Sequence, residues 1–480
     1  MTQDDHQAEN SLEPSDWSAF RKQAHAVLDA TLTHLEEARE GRVWTPAPDD
    51  LAETLKAPLP SDGIGTEAVR TALTDLLPYG VGNTHPRFFG WVHGSGTPSN
   101  MLAEMVAAAM NANCGGRNHV GLQVEAQLID WCKHIFEFPE TASGLIVSGT
   151  SMATIIALKA ARDRALDNAR DQGVTGAKLV AYVSSEGHSC LARALDILGL
   201  GMNALRRLPV TEAFEIDTDS LERAIQKDRA DGFTPFALVG SAGTVNTGAI
   251  DPLAQLAMIA KREQLWFHVD GAFGACMALS ERLKPRLSGL EQADSLAFDF
   301  HKWLHVNYDA GCVLIKDKTA HKAAFSMRPD YLAASTRGLA AGETWPTDLG
   351  PELSRSFRAL KVWAQLLEFG PKRLGEQIEQ NVEQAAYLTD LIERHPRLER
   401  LAPAPLQINC FRPVWPALTE VERDQRVNTL VEDLQISGIA APSTTRIHGK
   451  TAIRVNITNH RTTRADLDML VEAIDRLAQV

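Results

Sequence analysis

Four short apolar runs in the middle of the chain, at 145–147, 179–183, 237–240 and 265–269, are separated for the most part by stretches of helical periodicity. Continuous apolar runs of this length are strands buried on both faces, and their alternation with amphipathic helices predicts an α/β fold around a mostly parallel sheet. After Ala359 the pattern changes. A long helical run to about Arg394, strands near 406–411 and 452–458, and a closing helix from Arg464 predict a smaller α+β unit. Ahead of the sheet, 17–42 and 65–77 are helical, with Pro46, Pro48, Pro58 and Pro60 marking an extended connector. The expected division is therefore an N-terminal helical arm over 1–84, a large domain over 85–359 and a small C-terminal domain over 360–480.

A chain of 480 residues is long enough for more than one packed unit and for a deeply buried site. A formal net charge of −13, with Lys and Arg scattered rather than clustered, disfavours a nucleic-acid or anionic-membrane partner. The six cysteines lie far apart with no Cys-x-x-Cys pair, a pattern of free thiols in a reducing compartment rather than of disulfides or a metal site. No run reaches the apolar length of a membrane span, and the acidic, polar residues 1–10 do not resemble a secretion signal, so a cytoplasmic location is expected.

Three segments carry most of the chemical information. In Ser-Leu-Ala-Phe-Asp-Phe-His-Lys-Trp-Leu at 295–304, Lys302 is flanked by Phe300, Trp303 and Leu304. Such a lysine is expected to be partly desolvated, which lowers its pKa and makes it a candidate Schiff-base nucleophile; the plain alternative is a surface lysine lying along an aromatic neighbour. At 265–272 an apolar strand ends in Asp270 followed by Gly271 and Ala272, and parallel sheets place ligands at such strand ends. A carboxylate there can keep a pyridinium nitrogen protonated, or it can simply cap a turn. At 144–154 a strand turns through Gly149, Thr150 and Ser151 into an Ala-rich helix, a site for a phosphate ester. The same turn differs by one residue from a Gly-x-Ser-x-Gly nucleophile elbow, so a serine hydrolase using Ser151, with Asp270 and His301 following in order, is the alternative from a different class.

Two further segments join them. His188 stands at a strand-to-helix junction, where it can stack on a planar ring or merely bond to backbone. Thr244 lies in the glycine-punctuated loop 241–251, and Phe89, Trp91 and His93 sit in a glycine-rich stretch that can line a pocket for an aromatic side chain or form subunit-interface core.

As an ordered set, Ser-Gly-Thr-Ser-Met-Ala-Thr, Gly-His-Ser, Gly-Thr-Val-Asn-Thr-Gly-Ala-Ile-Asp, His-Val-Asp-Gly-Ala and His-Lys-Trp resemble the group II pyridoxal 5′-phosphate (PLP) dependent amino acid decarboxylases, in particular the aromatic-L-amino-acid decarboxylases. The resemblance extends over most of the chain, from His85 to Arg454. It implies fold type I, the aspartate-aminotransferase architecture, as a homodimer with active sites at the subunit interface and an arm wrapped on the partner. By the same likeness Lys302 would carry PLP as a Schiff base, His188 would stack on its ring and Asp270 would pair with the ring nitrogen. Ala272 would pack against a face, Gly149, Thr150, Ser151 and His301 would hold the phosphate, and Thr244 would lie near the ring. No metal is implied. The expected reaction removes the α-carboxylate of an L-amino acid, aromatic or bulky side chains favoured, to give an amine and CO2.

One departure qualifies the resemblance. The aromatic decarboxylases carry a proton-donating tyrosine on a loop that corresponds to 337–350, where this chain reads RGLAAGETWPTDLG. Glu343, Thr344 and Trp345 are the candidates to fill that space. In related aldehyde synthases the loss of this tyrosine goes with oxidative formation of an aldehyde, so that outcome is the alternative within the family.

Overall fold

The computed structural model describes residues 11–327 and 335–479. Its centre is a seven-stranded sheet of β1 (Ser143–Val147), β2 (Leu179–Ser184), β3 (Leu205–Leu208), β4 (Thr234–Ser241), β5 (Trp266–Asp270), β6 (Ser295–Asp299) and β7 (Gly311–Ile315), in the order β1-β7-β6-β5-β4-β2-β3. The four strands read from the apolar runs are all present. β3, β6 and β7 add to them, β6 coinciding with the start of the Lys302 segment. Every pairing is parallel except those of β7, which runs antiparallel to both β1 and β6. The reversal has a local cause. The connection from β6 folds straight back, with Phe300 and His301 both donating their N–H to Ala310 O, and so delivers β7 beside β6 in the opposite direction.

Helices cover both faces. On one, the helix Thr150–Ala165 presents Ala153, Ile156, Ala157, Ala160 and Ala161 to Val183, Val239, Trp266 and Val313, small residues that allow close packing on the sheet. On the other, the helices Val120–Ile135 and Leu253–Glu263 pack over Val180, Leu238, Val269 and Leu296. Glu125 and Arg355 form a buried ion pair at 2.7 Å, and Glu125 also accepts the N–H of Ile146. The charges are tolerated there because their hydrogen-bonding atoms are largely engaged with each other and with backbone.

The helix Arg358–Arg394 joins this unit to the next. It is bent at Gly370, whose φ of 67° and ψ of 163° are non-helical, and Pro371 cannot donate the N–H that would restore the ladder. Val362, Leu374 and Ile378 pack with the large sheet's core, whereas Ala385, Leu388 and Ile392 pack with the C-terminal unit. That unit is an antiparallel sheet of β8 (Leu398–Arg400), β9 (Ile408–Pro413), β10 (Ser443–Ile447) and β11 (Lys450–Asn456), ordered β10-β11-β9-β8 and covered by the helices Glu420–Ser437 and Arg464–Ala478. The helices Trp17–Glu36 and Thr66–Asp75 precede the large unit. No helix among the described residues is long and apolar enough to cross a membrane. The six cysteines are free and buried.

Register places the functional edge. Ser241 pairs with Asp270 and Asp270 with Ala297, so the carboxyl ends of β4, β5 and β6 align. The turn after β1 joins them at a close approach: a Cβ on Gly311 would lie 2.6 Å from the Cα of Gly149, which makes glycine at 311 a steric requirement.

Several fully buried histidines make the fold acid-sensitive. His268 and His321 are held down to about 4 and His305 to about 3, in each case mainly by burial. The ring nitrogens of His321 lie 2.7 Å from Ser143 Oγ and 2.7 Å from Leu349 O. As pH falls below the ordinary value of 6.5 the unfolded chain binds protons that the folded chain refuses until about 4. Stability is therefore complete above that ordinary value and is lost on descending through this window. Urea unfolding at about pH 7.5 and about pH 4.5 should show a fall of which His321 alone accounts for about 2 to 3 kcal/mol, a share removed by His321→Asn. Equal stability at the two pH values would contradict this account.

Candidate active site

A cavity of about 370 Å³ opens at the aligned strand ends. Gly149, Thr150, Ser151, His188, Thr244, Asp270, Ala272, His301 and Lys302 all line it, although they come from five separate segments of the chain. Asp270 ends β5 and is 6% exposed. Its Oδ1 accepts the N–H of Ala272 at 3.1 Å. Burial pushes its carboxyl above the usual range, opposed by the nearby Lys302 and His188. Nδ1 of His188 accepts the N–H of Cys190 at 3.2 Å, which fixes the ring and leaves Nε2 to carry the proton of the neutral form. His301 is tied similarly, with Nδ1 accepting from Ala310 at 3.1 Å, and burial lowers both imidazoles below the ordinary histidine value. Thr244 is held by its own loop: Oγ1 lies 3.1 Å from Oγ1 of Thr247 and accepts the N–H of Ala249.

Lys302 corrects one expectation. Its Nζ lies 3.0 Å from Oδ2 of Asp299. Burial works against its charge, but Asp299, with help from Asp270, outweighs burial and raises the pKa above the ordinary lysine value. The aromatic neighbours in sequence do not shelter it: Phe300, Trp303 and Leu304 belong to the hydrophobic core, and Trp303 Nε1 donates to Asn381 Oδ1. The partners of Lys302 are carboxylates, and this reverses the sign of the shift.

Asp299, Glu186 and Tyr308 also line the cavity and were not singled out from the sequence. Asp299 accepts the N–H of Thr150 at 2.6 Å, linking the Lys302 segment to the start of the helix Thr150–Ala165. Glu186 accepts from Asn246 Nδ2 at 2.9 Å. Tyr308 returns to the site because its loop folds back on itself, and its ring lies 4.4 Å from that of His301. Trp91 and His93 line the outer part of the cavity, the His93 ring lying 5.6 Å from Phe88 and 5.8 Å from Trp91, stacked on both. Phe89 does not join them. It is fully buried in the C-terminal unit's core. Arg454 on β11 holds the wall together by donating to Val245 O at 2.9 Å and to Trp91 O at 2.9 Å.

These features fit a phosphorylated aldehyde cofactor. Thr150 Oγ1 is buried and lacks a hydrogen-bond partner, which is the state of a hydroxyl waiting for an acceptor. A Cβ at Gly149 would meet Cε1 of His301 at 3.2 Å, so the glycine keeps the cradle open. The hydrolase alternative lacks its central contact. Among the described residues no hydrogen bond joins Ser151 to a histidine, since Nδ1 of His301 is engaged with Ala310 and its Nε2 faces Asp299 at 3.7 Å. Among the described residues there is also no cluster of three or more His, Cys, Asp or Glu able to hold a metal ion. Glu343, Thr344 and Trp345 do not line the cavity of their own chain, and Trp345 is buried against Gly116.

Comparison with known proteins agrees with this chemistry. The pyridoxal-dependent decarboxylase conserved domain matches residues 48–414. An aromatic-L-amino-acid decarboxylase of Bacillus atrophaeus is 34% identical over 403 residues, covering 82% of each chain. A phenylacetaldehyde synthase of Petunia hybrida is 29% identical over 412 residues, covering 82% of this chain and 79% of its own. The crystal structure of Oryza sativa TDC with PLP and tryptamine superposes with a TM-score of 0.90 at 24% identity, covering 98% of this chain and 99% of that one, which speaks to the fold. With about three-quarters of its length under one domain description and a relative at this level of identity, the chain belongs to the pyridoxal-dependent decarboxylase family and is a carboxy-lyase whose cofactor is PLP.

Proposed function

We propose that the protein removes the α-carboxylate of an aromatic or similarly bulky L-amino acid to give the amine and CO2. The observation that carries this reading is the convergence of Lys302 and Asp270 on one cavity whose outer wall is built from Trp91, His93 and Tyr308. When bound, PLP supplies the electron sink for the pair left behind as the carboxyl group departs. Lys302 anchors the cofactor aldehyde. Asp270, buried and lining the cavity, would hold a proton at the ring nitrogen, and His188 and Ala272 would hold the ring between them. The amides and hydroxyls of Gly149, Thr150 and Ser151, with His301, receive the phosphate at the helix start. Thr244 borders the ring, its loop tied to the C-terminal unit by Thr445 donating to Asn246. The aromatic wall would bind the substrate side chain and so fix which bond at the α-carbon is presented for cleavage.

Oxidative decarboxylation to an aldehyde is a second reading, favoured by one feature: the 337–350 segment holds no tyrosine. Balanced CO2 and amine with no oxygen uptake separates the first outcome from the second.

The working unit in this reading is a homodimer of subunits divided at 1–84, 85–359 and 360–480, with residues 1–10 of the arm outside the described structure. Its support is the apolar surface of the arm and its surroundings. Phe20, Val69, Leu73 and Met105 border an open groove of about 360 Å³, and Trp17, Leu102 and Val106 are half exposed. Covering such a surface with a second copy removes it from water. Trp91, half exposed at the mouth of the cavity, supports an active site that borders that interface. Six free thiols support a cytoplasmic location.

Lys302→Ala should abolish borohydride fixation of PLP to the protein and lower CO2 release by about 10³-fold or more. Fixation at another lysine would remove the proposal. A Gly149→Ala side chain crowds His301, and cofactor affinity, followed by absorbance at neutral pH, should weaken by roughly tenfold, about 1.4 kcal/mol. Unchanged affinity would show that the phosphate is held elsewhere. Across a panel of amino acids, aromatic substrates should lead in kcat/KM; a preference for acidic ones would overturn the substrate class.

A further inference from the structure

Asp299 has no part in the roles assigned above, yet it occupies the middle of the site. It is 2% exposed. Oδ1 accepts the N–H of Thr150 at 2.6 Å, and Oδ2 lies 3.0 Å from Nζ of Lys302 and 3.7 Å from Nε2 of His301. A carboxylate this deep is costly unless paired and hydrogen bonded, so these contacts hold the charge on both partners. They also engage what cofactor capture requires, namely the lone pair of Lys302 and the first amide of the helix Thr150–Ala165.

We infer that Asp299 is a positioning residue that holds Lys302 as an ammonium against the start of this helix and serves as the proton relay when the amine is released to the cofactor aldehyde. The inference rests on the reading of Lys302 as the anchoring lysine. The relay balances. Nζ passes one proton to the Asp299 carboxylate, its freed lone pair bonds the aldehyde carbon, and the carbonyl oxygen leaves as water with the two protons that remain on Nζ. The proton then returns to the new C=N nitrogen, so that ammonium and aldehyde have become a protonated C=N link and one water. Asp299, again a carboxylate, lies beside that positive charge as it did beside the first.

Other groups face Lys302 as well. The Asp270 carboxylate favours its charge, and the Tyr308 phenol and the imidazoles of His93, His188 and His301 border it. The thiols of Cys190 and Cys276 lie nearby, both held above the ordinary cysteine value by burial. Asp299 is the carboxylate in direct contact, so its removal has the larger effect on when the amine becomes neutral.

The test uses full-length protein stripped of cofactor and mixed with PLP over about pH 6 to 9.5, following absorbance of the bound cofactor and borohydride fixation at Lys302. The wild-type capture rate should climb with pH across the range. In Asp299→Asn the profile should move down by at least about one pH unit, making capture near pH 7 about tenfold faster. Asp299→Ser, which removes the carboxylate with less volume, should move it in the same direction, and circular dichroism and melting temperature report whether each variant folds. Pyridoxine 5′-phosphate, which has no aldehyde, separates amine release from charge repulsion of the phosphate. Its affinity should change far less than the PLP capture rate.

Superimposable pH profiles for wild type and both folded variants would overturn the inference. So would an equal gain in pyridoxine 5′-phosphate affinity, or folded variants that capture no PLP at any pH. Wild-type protein that binds PLP without a link at Lys302 would overturn the anchoring role itself and this inference with it, a result distinguishable from failure of the relay alone.

Discussion

The in-register pairing of β4 with β5 and of β5 with β6 is the constraint on which the chemistry depends. A parallel sheet ends all its strands facing the same way, and here the common edge brings Ser241, Asp270 and the end of β6 into one neighbourhood. The antiparallel β7 completes the arrangement. By returning beside β6 it carries Gly311 against Gly149, so the start of the helix Thr150–Ala165 and the loop that bears Lys302 become two walls of the same space. A one-residue slip of β6 would turn Asp299 and its successors to the opposite face. Full burial on both faces makes such a slip prohibitive.

Electrostatics within the cavity follow from this geometry. Two carboxylates, Asp270 and Asp299, sit on neighbouring strands beside one lysine, and the shifts of Asp270 and Lys302 are each a balance between burial and charged partners. The lysine keeps its charge because it touches a carboxylate. The aspartate on β5 is pushed toward its neutral form because burial outweighs its own neighbours. Cofactor chemistry needs a nucleophilic amine and a protonated ring nitrogen, and both depend on how these groups divide the available protons.

Much of this was legible in the amino-acid sequence, and what was not has physical reasons. Apolar runs flanked by helical periodicity announced β1, β2, β4 and β5, and the strand-end residues could be assigned because strand ends in a parallel sheet share an edge. β3 carries no such signal because its two arginines break the apolar run, and in β6 an aspartate ends a run of only four residues. The environment of Lys302 was misjudged for a different reason. In an irregular loop the chain has no period, so sequence adjacency to Phe300 and Trp303 says nothing about where those rings point. They turned into the core, while Asp299, three residues back, turned toward the amine. Tyr308 was equally hidden, since only the fold-back onto Ala310 brings it beside His301.

The clamp made by Arg454 bears on how the protein comes to exist. Its hydrogen bond to Val245 spans 209 positions and that to Trp91 spans 363. Contacts of such sequence separation are slow to form because the intervening chain must be ordered first. The outer wall of the chamber is therefore complete only when the segments around residues 91, 245 and 454 have all met.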